Sequence, residues 1–388
     1  MFSKVFYLTI LFTGLLSNIN IFAQKTATVN LSESISLPLN EKLGKQPGLA
    51  GAYAGCLGNK IVILGGANFP DQLPWQGGKK AYWNDIYVYT IGTNANSHWE
   101  NAAFAGKLSE NLAYGASVQL KEKLVCIGGE NEKGVSKKVF SIEDSHTSAG
   151  IVTTQLADLP IPLTNLSAIL VDEVIYVVGG ENSNGVSDRV FKLNLNKAIH
   201  SWEEVAPLPV KASHGVLLSS QMGTVNRLFF IGGRKKNSNG ISDIYSTTYE
   251  YLISQNKWVK KQDLPYKVAA GFGISGGKNS LFYIGGDTGE TFHQVETFIS
   301  QIEKETNETT KQSLIEQKNT LQENHPGFSR KILQYDLLKD KWKVVSTLAD
   351  AMPVTTNIVQ CHNKYYIPSG EIKAGVRSPN VLVIEKLK

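Results

Sequence analysis

The sequence predicts an all-β fold, a six-bladed β-propeller, and three observations support this prediction. An apolar run that ends in two small residues recurs six times along the 388-residue chain. A tryptophan and a Leu-Pro or Met-Pro pair recur in the same phase of the repeat. Glycine is abundant, at 35 residues, which indicates many tight turns. A repeat of about 50 residues with these features is typical of one four-stranded propeller blade.

The small-residue pairs divide the chain into six units, each interpreted as a set of strands linked by turns, and four of the units carry a tryptophan in the outer strand. The second glycines of the pairs are Gly66, Gly129, Gly180, Gly233, Gly286 and Gly370. The repeated tryptophans are Trp99, Trp202, Trp258 and Trp342. The proline pairs that end units are Leu159-Pro160, Leu208-Pro209, Leu264-Pro265 and Met352-Pro353.

The two ends of the chain are predicted to complete the sixth blade together. The sixth unit stops at Val381–Ile384, which we interpret as its third strand, and no tryptophan strand follows. Near the N-terminus, Ala27–Leu31 alternates between apolar and polar residues, and Leu37-Pro38 comes after it. We expect this segment to be the missing outer strand. It would close the ring and leave no open seam between the first and last blades.

Two units contain extra residues. The stretch Asn68–Trp83 is rich in glycine, proline, lysine and aromatic residues, and we predict an ordered loop. The stretch Glu290–Asn324 carries apolar residues at helical spacing, so we predict a helical hairpin or lid on one face of the propeller. Long insertions in repeat proteins often mark the face that carries the function.

Residues 1–23 have the pattern of a secretory signal peptide: Lys4, then the apolar run Val5–Leu16, and finally Ala23. We expect cleavage there, which leaves a single propeller domain at 24–388 in the periplasm or outside the cell. No second apolar stretch is long enough to span a bilayer. The net charge of +5 is not gathered into a basic block, so the sequence does not favour nucleic-acid binding.

Cysteine and histidine usage predicts no disulfide, no metal site and no catalytic thiol. Cys56, Cys126 and Cys361 lie far apart in apolar, strand-like stretches, and we expect three buried free thiols. The seven histidines are scattered, and the common zinc-binding and phosphate-binding motifs are missing from the sequence. The sequence therefore predicts no metal and no cofactor.

The position after each glycine pair carries a charge in five of the six units. The residues there are Ala67, Glu130, Glu181, Arg234, Asp287 and Glu371. Equivalent positions of successive blades form a ring at one mouth of the central channel, so we expect these side chains to converge on one cavity. Mixed carboxylates and an arginine around a cavity indicate a pocket for a polar small molecule. For any single one of the five charged residues, a side chain in a solvent-exposed turn, with no role in binding, is an equally good interpretation.

Several features of the chain match a known family. They are the early unit with Gly65-Gly66-Ala67, its loop from Asn68-Phe69-Pro70 through Trp75–Lys80, the preceding Gly48–Gly55, and the helical insertion. With the kelch-like repeat, they make the chain resemble the N-acetylneuraminate epimerases (sialic acid mutarotases), specifically their circularly permuted branch. The resemblance covers nearly the whole chain after residue 23. It implies a six-bladed kelch-type propeller that interconverts the α- and β-anomers of N-acetylneuraminate.

The resemblance also implies a catalytic pair. The family has a glutamate after a glycine pair and an arginine six residues later, which correspond here to Glu371 as proton acceptor and Arg377 as its partner. Ser369, in place of the first glycine, departs from the other units. Mutarotation removes the anomeric hydroxyl proton, opens the ring and closes it on the other face. A carboxylate can be the base, and a guanidinium can hold the sugar carboxylate. The further substrate contacts that we predict are Arg234, Glu130, Glu181, Asp287 and Asn68.

Two other functions remain alternatives at this point. A non-catalytic secreted kelch module that binds glycan or protein would present an apolar face, and the charged ring argues against it. A copper enzyme of the galactose-oxidase type would need clustered tyrosine and histidine ligands, which the sequence does not display. The expected partner is a small sugar acid, with the preferred sialic or related nonulosonic acid and the oligomeric state left open.

Overall fold

The computed structural model describes residues 31–92, 96–147, 150–197, 201–222, 225–277 and 279–385. Within them lie six four-stranded antiparallel sheets. Each of the first five is formed by one continuous stretch of the chain, with its four strands in chain order. The first strands of neighbouring blades contact one another in most pairs and surround a central channel. The prediction of an all-β, six-bladed propeller is therefore confirmed.

The strands of each blade, from the channel outwards, have the following bounds. Blade 1 contains Tyr53–Leu57, Lys60–Leu64, Ile86–Thr90 and His98–Trp99, and blade 2 contains Ala116–Gln119, Lys123–Ile127, Val139–Asp144 and Ile151–Gln155. Blade 3 contains Ser167–Val171, Val174–Val178, Val190–Asn194 and Trp202–Val205, and blade 4 contains Val216–Met222, Val225–Ile231, Thr248–Leu252 and Lys257–Lys261. Blade 5 contains Phe272–Ser275, Ser280–Ile284, Lys331–Asp336 and Lys341–Thr347, and blade 6 contains Val359–Cys361, Lys364–Pro368, Asn380–Glu385 and Leu31–Ser36.

The connection between the second and third strands is a small hairpin in five blades and a pair of helices in blade 5. The hairpins pair Ala67–Asn68 with Ala81–Tyr82, Glu130–Asn131 with Gly134–Val135, Glu181–Asn182 with Gly185–Val186, Arg234–Lys236 with Ser242–Ile244, and Glu371–Lys373 with Val376–Arg377. The helices are α1 (Ala102–Ala105) after blade 1, and α2 (Glu290–Lys304) and α3 (Glu308–Glu323) in the insertion. Short 3-10 helices span Pro74–Gln76 and Ile253–Gln255. The predicted helical hairpin thus occupies the same face as the five small hairpins.

The repeated glycine pair is required by the backbone at the end of each second strand. Gly65 and Gly66 both have positive φ, at 63° and 93°, and a Cβ on Gly65 would lie 2.1 Å from the carbonyl oxygen of Leu112. In blade 6 the first position is Ser369, with φ of 60°. Its buried hydroxyl accepts a 2.7 Å hydrogen bond from the backbone N–H of Leu49, which offsets the cost of the left-handed conformation.

The repeated tryptophans join neighbouring blades. Each one lies in an outermost strand, and its indole N–H donates to an acceptor in the preceding blade at 2.9–3.0 Å. The pairs are Trp99 with Ser36, Trp202 with Ala157, Trp258 with Ala206 and Trp342 with Thr248. An indole has one apolar body and one donor, so it both packs between blades and satisfies a buried polar group.

The N-terminal segment closes the ring, as the sequence predicts. The strand Leu31–Ser36 pairs antiparallel with Asn380–Glu385 as the outer strand of blade 6, and the N–H of Leu37 donates to the carbonyl oxygen of Pro379 at 2.9 Å. The predicted strand was Ala27–Leu31; residues 27–30 lie outside the described residues, and the observed strand starts at Leu31, where the predicted one ended. Closure removes the open edge that the third strand of blade 6 would otherwise present.

The expectation of three free thiols is wrong for two of them. Cys56 and Cys361 form a disulfide across 305 residues of sequence, with Cα atoms 5.6 Å apart, and Cys126 is free and fully buried. The two bonded cysteines lie in the innermost strands of blades 1 and 6. Ring closure makes these strands neighbours although they are distant in sequence, so spacing along the chain gave no sign of the bond.

Loss of this disulfide should lower the free energy of unfolding by about 2–5 kcal/mol, because the bond constrains most of the unfolded chain. We expect the double variant Cys56→Ser, Cys361→Ser to unfold at a lower denaturant concentration than the wild-type protein. A reductant should bring the wild-type protein to the variant's midpoint and leave the variant unchanged. Equal midpoints for oxidised and reduced wild-type protein would contradict the prediction.

The predicted signal peptide at residues 1–23 lies outside the described residues and stays a prediction. Within the described ranges, no helix combines the length and the apolar character needed to cross a membrane.

Candidate active site

The residues after the glycine pairs, here called the mouth ring, occupy equivalent places at one end of the channel. Each forms an antiparallel bridge with a residue just before the first strand of its own blade. The bridges are Ala67 with Ala50, Glu130 with Ala113, Glu181 with Thr164, Arg234 with Ser213, Asp287 with Ala269 and Glu371 with Val354. Since the same bridge recurs in all six blades, the mouth ring surrounds the channel as the sequence predicts.

A second ring, which the sequence reasoning missed, lies next to the mouth ring. It consists of the residues that follow the bridge partners, here called the neck ring: Gly51, Tyr114, Asn165, His214, Ala270 and Thr355. All six have left-handed φ angles between 50° and 65°. Five backbone N–H···O=C bonds of 2.7–3.0 Å link them from blade to blade. A small residue (Ala, Ser or Thr) precedes five of the six positions, and this repeat marks the ring in the sequence without marking any member as a site residue.

These two rings and the insertion line a cavity of about 340 Å³, a size suited to a small molecule. Its charged and polar walls come from the hairpins and the neck ring, and its apolar wall comes from the insertion and the chain after it. The charged residues are Lys80, Glu130, Arg234, Asp287, Glu371 and Arg377, and the apolar wall includes Phe292, Val295 and Phe328. The mouth-ring residues Ala67 and Glu181 are not part of this lining.

Glu371 and Arg377 meet across the small hairpin of blade 6. An Nη1 atom of Arg377 lies 3.2 Å from Oε1 of Glu371, and these two residues are paired in the hairpin register. The backbone N–H of Gly375 in the turn donates to the same Oε1 at 2.6 Å. The other carboxylate oxygen, Oε2, has only a long 3.4 Å contact with the hydroxyl of Thr355 among the described residues. One oxygen is therefore held by the protein and one faces the cavity.

Arg377 is buried, with 9% of its surface exposed. Its guanidinium lies 5.1 Å from the ring centre of Phe69, and Nη2 lies 3.5 Å from the hydroxyl of Tyr114. Burial acts to lower the pKa of Arg377, but the carboxylate of Glu371 and the hydroxyl of Tyr114 outweigh it and raise the pKa. The arginine thus stays charged and holds Glu371 in place.

Arg234 lies on the blade 4 side of the cavity against His214. Its Nη2 is 3.5 Å from Nε2 of His214, and its guanidinium lies 5.0 Å from the ring centre of Phe292 on helix α2. Burial and the charge of Arg234 hold the pKa of His214 well below its usual value, so this histidine is neutral near pH 7. Behind it, Glu181 accepts a 2.8 Å hydrogen bond from the side-chain amide of Asn165.

Asp287 and His325 face each other at the blade 5 side. Burial raises the pKa of Asp287, although the Gly289 N–H, which donates to its Oδ1 at 2.8 Å, acts in the opposite direction. Burial lowers the pKa of His325, whose Nδ1 accepts from the N–H of Gly327 at 3.0 Å. This bond leaves the proton of a neutral His325 on Nε2.

Glu130 contacts the blade 1 loop. Its Oε1 accepts from the hydroxyl of Tyr82 at 2.7 Å and from Nζ of Lys80 at 3.2 Å. Burial and the hydrogen bond to Glu130 raise the pKa of Tyr82 to about 12. Glu130 is thus at the cavity wall, as expected of a substrate contact, but with one oxygen already engaged.

Asn68, which the sequence suggests as a substrate contact, lies outside the cavity lining. The residue is 2% exposed, its side-chain N–H donates to the carbonyl oxygen of Gly48 at 2.8 Å, and its oxygen accepts from the indole of Trp83 at 3.0 Å. Both ends of the amide are therefore used within the protein, and Asn68 does not line the cavity. The structure assigns it to holding the blade 1 loop, and the neighbouring Phe69 packs on the site instead.

Helix α2 is clamped to the hairpin that carries Arg234. Glu296 is buried, with 8% of its surface exposed, and it accepts hydrogen bonds from both the N–H and the hydroxyl of Ser242, at 2.8 and 2.7 Å. From the same helix, the ring Nε2 of His293 lies 2.9 Å from the carbonyl oxygen of Ser242. In the sequence, the sign of this contact was Glu296 itself, a carboxylate on the apolar side of a predicted amphipathic helix.

Glu296→Ala should loosen this clamp, because it leaves a buried N–H and a buried hydroxyl without partners. We expect backbone hydrogen exchange at Ser242–Ile244 to accelerate about 10-fold or more, with the propeller strands unaffected. Glu303→Ala, an exposed change on the same helix, is the matched control. Equal exchange rates in the two variants would show that the helix does not depend on Glu296 for its attachment.

Comparison with known proteins gives one consistent family. The sequence profile described as N-acetylneuraminate epimerase matches residues 14–147 and 156–386. Among similar proteins, the N-acetylneuraminate epimerase of Yersinia enterocolitica is 38% identical over 107 residues, 25% of each chain. That of Vibrio vulnificus is 32% identical over 127 residues, 30% of this chain and 31% of the relative. That of Salmonella paratyphi B is 28% identical over 238 residues, 60% of this chain and 58% of the relative. Each alignment spans less than two thirds of the relative's length.

Proposed function

We propose, since the chain belongs to the N-acetylneuraminate epimerase family, that it interconverts the α- and β-anomers of N-acetylneuraminate or of a closely related acidic sugar. The observation that carries the proposal is the pairing of Glu371 with Arg377 inside a polar cavity of about 340 Å³. A carboxylate with one oxygen held and the other facing a cavity is suited to moving a proton on a bound molecule.

The chemistry requires a group that first takes a proton and later returns it. Glu371 would accept the proton of the anomeric hydroxyl at Oε2. The bond between the anomeric carbon and the ring oxygen then breaks, the ring oxygen takes up a proton, and the open-chain ketone forms. Rotation and the reverse steps give the other anomer. The net reaction neither gains nor loses a proton, so one carboxylate that accepts and returns a proton is sufficient.

The other cavity walls match the rest of such a substrate. The carboxylate of an acidic sugar needs a cation, its hydroxyl groups need hydrogen-bond partners, and its acyl methyl group needs an apolar surface. The cavity offers arginine side chains, the neck-ring residues Asn165 and Thr355, and the apolar wall from the insertion. Most of the ligand surface would be covered by such a cavity, which is usual for small-molecule sites.

We also propose that the protein works in the periplasm or outside the cell. The signal-like residues 1–23 support this location, and so does the Cys56–Cys361 disulfide, because such bonds persist in oxidising compartments. Mass spectrometry of the protein isolated from its native cells should find an N-terminus at Gln24 and an intact disulfide. A cytosolic fraction with residue 1 retained would overturn this location.

The direct test of the function is proton NMR of freshly released α-N-acetylneuraminate with the purified, oxidised protein. We expect the anomers to reach equilibrium faster than in buffer, in proportion to protein concentration. Heat-unfolded protein is the control for buffer and ion effects. Ligand binding with an unchanged rate of anomer exchange would instead favour a non-catalytic sugar-binding propeller.

A further inference from the structure

We propose that Arg234 on blade 4, and not Arg377, binds the carboxylate of the substrate. This inference rests on the proposed function and deepens it by assigning the group that recognises the acid. It replaces the sequence-based assignment of that contact to Arg377. The two arginines that line the cavity differ in whether a carboxylate of the protein is paired with them.

Of the two arginines that line the cavity, Arg234 is the one that no carboxylate of the described residues pairs with. In the part of the chain that the structure describes, it forms no ion pair, and its contacts are the neutral ring of His214 and the face of Phe292. The Nε–H groups of both Arg234 and Arg377 are buried without a hydrogen bond, so the two side chains differ in the ion pair with Glu371 and not at this atom. Arg234 is half-buried and lines the cavity without a paired carboxylate, and a bound carboxylate can supply that partner through two parallel hydrogen bonds.

Arg377 already forms an ion pair with Glu371. A substrate carboxylate placed on Arg377 would lie beside the carboxylate of Glu371, 3.2 Å from the same guanidinium. Two carboxylates sharing one cation repel each other, and the contact would compete with the one that holds the proposed base. On Arg234, by contrast, the substrate carboxylate would meet a guanidinium that no carboxylate of the described residues is paired with, and the contact between Arg377 and Glu371 would stay intact.

Asp287 occupies the mouth-ring position of blade 5 and is the nearest competitor for Arg234. It forms no ion pair with Arg234, its Oδ1 is engaged by the Gly289 N–H at 2.8 Å, and its side chain is half-buried. The anomeric carbon carries both the hydroxyl and the carboxylate of the substrate. With the carboxylate on Arg234 and the hydroxyl at Glu371, this carbon would lie inside the cavity that these two residues and Asp287 line.

The contacts of Arg234 fix its backbone and side chain before a ligand binds. Its backbone is bridged to Ser213 by hydrogen bonds of 2.8 and 2.9 Å, His214 offers an acceptor to Nη2, and Phe292 stacks on the guanidinium. The clamp between Glu296 and Ser242 fixes the hairpin and the helix relative to each other. An arginine held in place before binding loses little side-chain freedom when the ligand arrives.

The test combines a change in the protein with a change in the ligand. Binding of N-acetylneuraminate and of its methyl ester, which lacks the negative charge, is measured by calorimetry for the wild-type protein, Arg234→Gln and Arg377→Gln. The wild-type protein should bind the acid about 10- to 100-fold more tightly than the ester. Arg234→Gln should remove most of this preference with little effect on the ester, whereas Arg377→Gln should weaken both ligands and keep the preference.

Loss of the preference in Arg377→Gln but not in Arg234→Gln would overturn the inference, and so would a wild-type protein that binds acid and ester equally. Arg234→Lys keeps the charge and loses the planar fork, so it should fold and retain part of the preference. This second variant keeps the test valid if Arg234→Gln does not fold. The proposed function fails separately, by the absence of catalysed anomer exchange in the wild-type protein.

Discussion

Glu371→Gln should slow the proposed exchange of sialic acid anomers by about 100-fold or more while the protein stays folded. Glutamine keeps an oxygen that can accept the Gly375 N–H, which Oε1 of Glu371 accepts at 2.6 Å, so the hairpin of blade 6 retains its turn. Its amide nitrogen at the other position cannot accept a proton. The variant therefore separates the holding role of the side chain from its role as a base.

The measurement is the NMR exchange rate of N-acetylneuraminate anomers, with the unfolding midpoint recorded for each protein. Glu132→Gln is the matched control, since Glu132 is an exposed carboxylate in the equivalent hairpin of blade 2 and lies outside the cavity lining. We expect the control to exchange anomers at the wild-type rate. If Glu371→Gln does so too, Glu371 is not the base, and the catalytic pair suggested by the family resemblance has to be abandoned.

Removal of the N-terminal strand should prevent the chain from forming a soluble, folded propeller. A chain that begins at Leu39 loses the pairing of Leu31–Ser36 with Asn380–Glu385, the buried side chain of Leu37, and the acceptor of the Trp99 indole at Ser36. The exposed third strand of blade 6 would then present unpaired backbone groups, which promote aggregation. We expect loss of soluble protein rather than a small change in rate.

Soluble yield, far-UV circular dichroism and size-exclusion chromatography measure this effect. A chain that begins at Leu31 keeps the whole pairing and is the matched control, and we expect it to be soluble and monodisperse. A chain beginning at Leu39 that is soluble and catalyses anomer exchange would show that the segment is dispensable for closure.

The blade number and the order of the strands could be predicted because their signals are local and repeated. Each glycine pair is demanded by a positive φ at the end of one strand, and each tryptophan fills the same place between two blades. The mouth ring could be predicted for the same reason, since a position at one phase of a repeat falls at one place in every blade. The helices of the insertion followed from apolar spacing alone, with α2 beginning at Glu290 as predicted.

The sites that could not be predicted depend on contacts between blades. Asn68 has the residue type of a substrate contact, yet the indole of Trp83 and the carbonyl of Gly48 take both ends of its amide. Tyr114 and His214 gave no signal as site residues, and they reach the cavity because the neck ring brings left-handed residues from different blades together. A side chain's partners follow from the packed geometry, which spacing along one repeat does not contain.

The sequence by itself determined the fold, the closure of the ring and the six positions at the channel mouth, because strand periodicity, turn glycines and repeat phase act within one blade. Only the tertiary structure decided that Cys56 bonds with Cys361, that Glu296 of the insertion binds the hairpin of blade 4, and that, among the described residues, Arg377 has a carboxylate partner while Arg234 has none. The physical reason is that disulfide formation, buried hydrogen bonds and charge compensation depend on distances of a few ångströms between distant residues, and ring closure sets those distances.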